Sequence, residues 1–252
     1  MNILIHGIAG HMGREVMRLC AEGYRGAVAT VGVDPSAPLV EGIPVYRTLA
    51  EVPHGIEVDC IVDFSHHTAT PALLAYAKER GIPTVVATTG HTEEELTAIH
   101  EASTSIPVFF SANMSLGVAL LVELAKKAAA AMPDAEIEII EKHHDRKVDA
   151  PSGTALMLAR ALTEVRPELQ TKVGRNGYGR REANEIGIHA IRMGNIVGEH
   201  EVMLATNNQT ITIKHEAHSR ALFAEGGLAA AAHIIGAVAG LYDMRSLVEG
   251  SH

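Results

Sequence analysis

Short apolar runs alternate with helix-like stretches through the first half of the chain. The apolar runs cover residues 2–6, 27–34, 58–65, 82–90 and 106–113. Between them, helical periodicity or helix-start residues mark the segments 11–23, 70–81 and 91–102. Strands that alternate with helices form parallel βαβ units. The pattern therefore predicts an α/β fold with a doubly wound, Rossmann-type parallel sheet.

A different pattern begins after residue 134. Apolar and charged residues alternate over residues 135–144, as in a half-buried strand. Gly194-Asn195 and Asn207-Asn208 mark turns, and we expect each to join two antiparallel strands. Residues 220–242 are Ala-rich and apolar, which predicts one packed helix that returns to the N-terminal sheet.

The two patterns predict two domains. Residues 1–114 and 220–252 form the domain with the doubly wound sheet. Residues 115–219 form an inserted α+β domain with a mixed or antiparallel sheet.

Composition narrows the class of protein. Of the 252 residues, 47% are hydrophobic and 20% are charged, as in an ordinary globular protein. The formal charge of −9, without a block of Lys or Arg, argues against a nucleic-acid partner. No apolar run approaches the roughly 20 residues that span a bilayer, and no basic leader opens the chain, so we expect no membrane partner. Cys20 and Cys60 lie far apart in sequence, which favours a reducing cytoplasm.

The first candidate site is "GIAGHMG", which places glycines at 7, 10 and 13 between a strand and a helix. Glycine allows a sharp turn and a close approach of the backbone to a pyrophosphate, and the helix start offers free N–H groups. The spacing differs from the common G-x-G-x-x-G, so a tight turn without a ligand is the alternative.

Asp34 ends the second predicted strand. A carboxylate there can accept hydrogen bonds from the 2′-hydroxyl of an adenosine ribose and repel a 2′-phosphate. Pro35 follows, and no arginine adjoins it in sequence to receive that phosphate. This favours NADH over NADPH, although an acid at a strand end is also a common solvated turn residue.

The second candidate site is "EKHHDRKVDAPSGTA" at residues 141–155, which permits a metal site, an anion site or an acid/base centre. We expect Ser152 to cap a helix whose first N–H groups, on Gly153 and Thr154, bind a carboxylate. His143, His144 and Lys147 precede it. Adjacent histidines in a strand point to opposite faces, which disfavours a shared metal, and we predict none. The spacing is not that of a phosphate-binding Walker A loop, and a surface loop with incidental histidines is the alternative.

These motifs together resemble the dihydrodipicolinate reductase (4-hydroxy-tetrahydrodipicolinate reductase) family. The likeness runs nearly end to end, through "GIAGHMGREV", "VDFS", "ATTG", "FFSANMSLGV", "HHDRKVDAPSGTA", "EIGIHAIRMGNIVGEHEVM" and "GLYDM". It implies an NAD(P)-binding Rossmann domain over residues 1–114 and 220–252, and a substrate-binding and oligomerisation domain over residues 115–219. It also implies a cytoplasmic homotetramer in lysine and diaminopimelate biosynthesis.

The resemblance also implies roles for single residues. His143 corresponds to the proton donor/acceptor and Lys147 to the proton donor, while His144, Ser152, Gly153 and Thr154 correspond to substrate contacts. The dinucleotide contacts correspond to Gly7, Ile8, Ala9, Gly10, His11, Met12, Asp34, Ala87, Thr88, Thr89, Ser111, Ala112, Asn113 and Met114.

The chain departs from the family pattern in two places. Pro35 stands where an arginine is common, which puts use of NADPH in question. The loop at residues 174–182 is short, which leaves Arg175, Arg180 and Arg181 without an assigned role.

The implied reaction reduces the cyclic dicarboxylate 4-hydroxy-tetrahydrodipicolinate to tetrahydrodipicolinate with NADH, the expected preference, or NADPH. Two other functions fit the same motifs. One is another NAD-dependent dehydrogenase, acting on an amino acid or imine with the same fold. The other is a non-catalytic dinucleotide sensor. A metallohydrolase is a third, more distant alternative.

Overall fold

The structure, a computed structural model, describes residues 1–250. In these residues the strands are β1 Asn2–His6, β2 Val28–Val33, β3 Val45–Tyr46, β4 Cys60–Asp63, β5 Thr84–Val86, β6 Pro107–Phe110, β7 Glu136–His143, β8 Gln170–Val173, β9 Glu185–Arg192, β10 Gly198–Thr206, β11 Gln209–Ala217 and β12 Gly240–Tyr242. The helices are α1 His11–Ala21, α2 Thr70–Arg80, α3 Glu93–Ser103, α4 Leu116–Ala131, α5 Gly153–Val165, α6 Ala221–Ile234 and α7 Met244–Glu249. Short 3-10 turns lie at Tyr24–Gly26, Leu49–Glu51 and His67–Ala69.

The described chain divides into two compact units. The first comprises Met1–Leu116 and the residues from Ala221 onward, and the second comprises Gly117–Arg220.

The first unit is built on a parallel sheet with the strand order β12-β6-β5-β4-β1-β2-β3 within residues 1–250. Its central strands β1, β4 and β5 are mostly buried and mainly apolar, as is typical of a parallel sheet covered on both faces. The chain runs from β1 to β2 on one side and later returns to β4 on the other side of β1. Such a reversal of strand order is where doubly wound sheets bind ligands, at the carboxyl ends of the strands. The predicted fold class is confirmed.

The last segment of the chain differs from its prediction. The prediction of a single helix over residues 220–242 is wrong for its second half, since α6 ends at Ile234. Gly236 then takes a φ of +77°, a left-handed conformation that glycine adopts without strain and that stops a helix. β12 follows and pairs in parallel with β6 at the edge of the sheet. Helix α6 itself packs against α1 and fully buries residues such as Leu228.

The second unit contains a mixed sheet with the order β11-β10-β7-β9-β8. The hairpin predicted at Asn207-Asn208 is confirmed, because Thr206 of β10 pairs with Gln209 of β11. The antiparallel pair predicted at Gly194-Asn195 is wrong, because β7 lies between β9 and β10. β7 pairs antiparallel with β10 and parallel with β9. Its apolar face, with Ile137 and Ile139, packs against residues of α4 and α5, including Leu121 and Leu158.

Candidate active site

The glycine-rich turn follows β1 directly. Gly7 takes a φ of +83°, and a Cβ there would lie 2.8 Å from the Cα of Ser65, so any larger residue would be both strained and crowded. A Cβ on Gly13 would collide with the carbonyl oxygen of Gly7. Gly10 caps α1 without a side chain, is exposed, and no acidic residue stands in the first turn of that helix. The turn is therefore tightly packed beneath and open at the helix start, which fits a bound pyrophosphate.

Asp34 lies beside that turn. Its carboxylate accepts hydrogen bonds from the Ala9 N–H at 3.1 Å and from the Ser36 N–H and hydroxyl at 3.0 and 2.6 Å. Partial burial acts to raise the pKa of Asp34, but the hydrogen bonds from Ser36 and Ala9 outweigh it and lower the pKa below its ordinary value. An ionised acid at this strand end fits the recognition of a ribose hydroxyl.

Arg47 changes the prediction about the 2′-phosphate of NADPH. It follows the short strand β3, which pairs in parallel with β2. Its Nη1 lies 3.5 Å from the carbonyl oxygen of Pro35, next to Asp34. No arginine adjoins this strand end in sequence, but Arg47 lies near it in the folded chain. Pairing of β2 with β3 brings in a cation from twelve residues away.

The other predicted dinucleotide contacts lie in four settings. Ile8 and Met114 are buried, at 1% and 2% exposed, so neither presents its side chain to a ligand. Ala87 and Thr88 are buried just beyond the carboxyl end of β5. Ser111 and Asn113 bond to each other within the turn after β6. The predicted positions with exposed side chains are His11, Thr89 and Ala112.

The sequence analysis did not identify a buried pair, His6 and Asp63, at the ends of β1 and β4. His6 Nδ1 lies 2.9 Å from a carboxylate oxygen of Asp63, and that oxygen also accepts the Ser65 hydroxyl at 2.6 Å. The pair fixes Ser65 against Gly7, so it supports the turn from below.

In the second unit, His143 ends β7. Its Nδ1 lies 2.6 Å from Oε2 of Glu141, which is fully buried on the same face of the strand. Arg192 of β9 holds both oxygens of that carboxylate at 2.7 Å. Burial lowers the pKa of His143, Glu141 acts to raise it, and the charges of Lys147 and Arg192 lower it again. The net pKa lies below the ordinary value for histidine, so the ring is mostly neutral at pH 7.

Helix α5 begins as the sequence predicts. The Ser152 hydroxyl accepts the Ala155 N–H at 3.2 Å and caps the helix, while the Ser152 N–H donates to Oε1 of Glu141 at 2.9 Å. His200 of β10 lies 3.0 Å from the same hydroxyl. Gly153 is exposed, and a Cβ there would meet no atom within 4 Å. The helix start is thus anchored on its buried side and open at Gly153, which suits a carboxylate ligand.

Lys147 and His144 lie on the loop between β7 and α5. Lys147 Nζ lies 2.8 Å from a carboxylate oxygen of Asp149. His144 Nδ1 is buried and has no hydrogen-bond partner among residues 1–250. The structure therefore joins His143 and Ser152 through Glu141, and places Lys147 near enough to affect His143 electrostatically.

Arg175 and Arg181 have structural partners. Arg175 pairs with Glu185, and Arg181 Nε lies 3.1 Å from Oε1 of Glu138. Arg181 also donates to the carbonyl of Ile137, which ties the loop before β9 to β7.

Within residues 1–250, no group of three or more His, Cys, Asp or Glu side chains is arranged to hold a metal ion. In the same part of the chain, no helix combines the length and apolar character needed to cross a bilayer.

Comparison with known proteins decides the family. Residues 1–114 match the family described as dihydrodipicolinate reductase, N-terminus, and residues 117–248 match dihydrodipicolinate reductase, C-terminus. The chain belongs to the dihydrodipicolinate reductase family. The resemblance predicted from the motifs is confirmed, and with it an NAD(P)H-dependent oxidoreductase of lysine and diaminopimelate biosynthesis.

Individual relatives agree with this family over the whole chain. A protein of Caldanaerobacter subterraneus subsp. tengcongensis, named 4-hydroxy-tetrahydrodipicolinate reductase, is 49% identical, covering 99% of this chain and 98% of the relative. One of the same name from Clostridium tetani is 42% identical, covering 97% and 95%.

Solved structures agree in fold. Dipicolinate-bound dihydrodipicolinate reductase from Paenisporosarcina sp. TG-14 aligns with a TM-score of 0.81 at 24% identity, covering 96% of this chain and 97% of that one. A diaminopimelate (DAP) dehydrogenase of C. glutamicum aligns with a TM-score of 0.58 at 15% identity, covering 100% and 96%.

Proposed function

We propose that the second unit binds the cyclic dicarboxylate 4-hydroxy-tetrahydrodipicolinate and supplies the proton for its reduction to tetrahydrodipicolinate. The observation that carries the proposal is the network around Glu141. It joins His143, an acid/base group, to the capped start of α5, an anion-binding feature. An acid placed beside an anion site is what reduction of an anionic, unsaturated ring requires.

The dinucleotide belongs to the turn after β1. Gly7, Gly10 and the start of α1 would hold its pyrophosphate, and Asp34 would accept its ribose hydroxyl. When bound, the reduced nicotinamide supplies a hydride. The crowding found at Gly7 and Gly13, together with the open helix start, is the local support for this assignment.

A substrate carboxylate would be bound at the start of α5 by Ser152, Gly153 and Thr154. Both the helix dipole and N–H groups of the first turn favour an anion there. His144, which the family resemblance assigns to the substrate, is partly exposed on the loop that leads to α5. The Paenisporosarcina protein was solved with dipicolinate, a planar pyridine dicarboxylate of the same chemical class.

Lys147 and His143 would transfer the proton. The net reaction adds a hydride and a proton to the ring, and the hydroxyl leaves with one ring hydrogen as water. The Lys147 side chain is 23% exposed, and its ammonium can donate a proton and stabilise negative charge on the substrate. His143 is mostly neutral at pH 7, so it is suited to relay a proton from solvent rather than to store one.

Both nicotinamide cofactors would be used, with NADH preferred. Asp34 repels a 2′-phosphate, while Arg47, located near Pro35, offers that phosphate a cation. A homotetramer in the cytoplasm stays a prediction.

The test is oxidation of NADH and NADPH by the purified chain with enzymatically generated substrate. We expect turnover with both cofactors, faster with NADH, and inhibition by dipicolinate. Oxidation of amino acids in place of this turnover would favour another dehydrogenase. Dinucleotide binding without turnover of any substrate would favour a sensor.

A further inference from the structure

Glu141 is a fully buried carboxylate that joins His143 to the start of α5, although neither the hydride nor the proton passes through it. Side chains alternate along a strand, so residues 141 and 143 of β7 share a face. That face is the apolar one, because Ile137 and Ile139 precede Glu141 on it and are fully buried. A charge is costly at such a position unless its oxygens are paired.

Both oxygens of Glu141 are engaged. Oε2 lies 2.6 Å from His143 Nδ1, and Oε1 accepts the Ser152 N–H at 2.9 Å. Arg192 donates to both, at 2.7 Å each. These hydrogen bonds outweigh the effect of burial and lower the pKa of Glu141, so the group is an anion that only accepts.

An acceptor at Nδ1 fixes the state of the His143 ring. Because the carboxylate can only accept, Nδ1 must carry the hydrogen, and Nε2 is the nitrogen left to exchange a proton. Gly198 leaves room on that side, since a Cβ at this position would lie 3.1 Å from Nε2.

We propose that Glu141 is a positioning residue that sets the tautomer and direction of the His143 ring and fixes that ring to the start of α5. The inference rests on the proposed function for its catalytic consequence. One carboxylate then keeps the proton relay and the substrate-binding helix start in a constant arrangement. The competing explanation is that Glu141 exists only to neutralise Arg192.

The variant Glu141→Gln separates the two explanations. An amide has one acceptor oxygen, so it cannot receive the donors of His143, Ser152 and Arg192 together. We expect kcat to fall about 10- to 100-fold, a part of the contribution of general acid–base catalysis, with NADH affinity unchanged.

The pH profile of kcat/KM gives a second readout. The charged or titratable groups around His143 are Glu141, Lys147, Arg192 and His200. Glu141 alone among these four acts to raise the His143 pKa. Loss of Glu141 should therefore lower the pKa of His143. The limb of the pH profile that reflects ionisation of His143 should shift to lower pH.

Nitrogen NMR of the His143 ring, assigned with His143→Asn, tests the tautomer without turnover. We expect one form, with the hydrogen on Nδ1, in the wild type and a mixture in Glu141→Gln. Glu199→Gln is the matched control, because Glu199 pairs with Lys142 and Lys214 and its loss should change none of these readouts.

The double variant Glu141→Gln/Arg192→Met covers the case in which the single variant does not fold, because it removes both buried charges together. A folded double variant with wild-type kcat and an unchanged His143 tautomer would overturn the inference. Absence of turnover in the wild-type chain would instead refute the proposed function, and the NMR result would still decide the role of Glu141.

Discussion

The ammonium of Lys147 lies 2.8 Å from the carboxylate of Asp149, two residues further along the loop that leads to α5. The contact with Lys147 lowers the pKa of Asp149, so the acid is ionised at neutral pH. Lys147 is 23% exposed and Asp149 is 52% exposed, so the pair holds the ammonium in place while leaving it accessible to a ligand.

Replacement of Lys147 tests its role as proton donor. In Lys147→Ala we expect kcat to fall roughly 10²–10⁴-fold, the usual scale of general acid–base assistance. The fold and NADH affinity should be retained, because Lys147 belongs to a loop of the second unit. Arg146→Ala is the control, since Arg146 is 64% exposed and pairs with Asp145. Turnover near the wild-type rate in purified Lys147→Ala would show that the proton comes from elsewhere.

Gly153 allows a test of the substrate site that separates binding from folding. A Cβ at Gly153 meets no atom within 4 Å, so Gly153→Ala should leave stability unchanged or raise it by about 0.4–1 kcal/mol. The same methyl group would stand where we place the substrate carboxylate. We therefore expect weaker dipicolinate binding and a higher KM, measured by calorimetry and steady-state kinetics.

The control for this experiment is Gly55→Ala, which also meets open space but lies in the first unit. It should leave dipicolinate binding unchanged. Wild-type dipicolinate affinity in Gly153→Ala would place the carboxylate away from the start of α5.

Local features of the site could be predicted from the sequence, and distant partners could not. The cap at Ser152 and the glycine turn depend on neighbouring residues, so their residue types are visible in one stretch of sequence. The alternation along β7 also places Glu141 beside His143, a signal available but not used.

The positions of Arg192 and Arg47 could not be predicted from neighbouring residues. Arg192 reaches Glu141 because β9 pairs in parallel with β7, with Arg192 opposite His143. The turn at Gly194-Asn195 indicates an antiparallel neighbour instead, since a turn sequence specifies a change of direction and not which strand lies alongside. Arg47 reaches Pro35 by the same kind of non-local pairing, between β2 and β3.

The choice of cofactor gives a reciprocal pair of variants. Arg47→Ala should lower kcat/KM for NADPH while that for NADH changes little, because only NADPH carries the 2′-phosphate. Asp34→Ala should narrow the NADH preference, because it removes the acceptor for the ribose hydroxyl and the repulsion of that phosphate. Arg25→Ala is the control, as a second exposed arginine of the same unit. An unchanged ratio of the two kcat/KM values in both variants would exclude these residues from selecting the cofactor.

His200 predicts how the stability of the chain depends on pH. It is 4% exposed, and burial lowers its pKa to about 4. The unfolded chain binds this proton near pH 6.5 and the folded chain only near pH 4, so stability rises with pH between these values and is lost as pH falls. For this one group the loss from pH 7 to pH 5 is about 2 kcal/mol.

His200→Gln removes the titration and keeps a group that can meet the Ser152 hydroxyl. Urea unfolding at pH 7 and pH 5 should then show a smaller loss of stability in the variant than in the wild type. His143, whose pKa is also lowered, is present in both proteins, so the difference between them reports His200 and its charge interaction with His143. An equal loss in the two proteins would mean that His200 is protonated as readily in the folded chain as in the unfolded one.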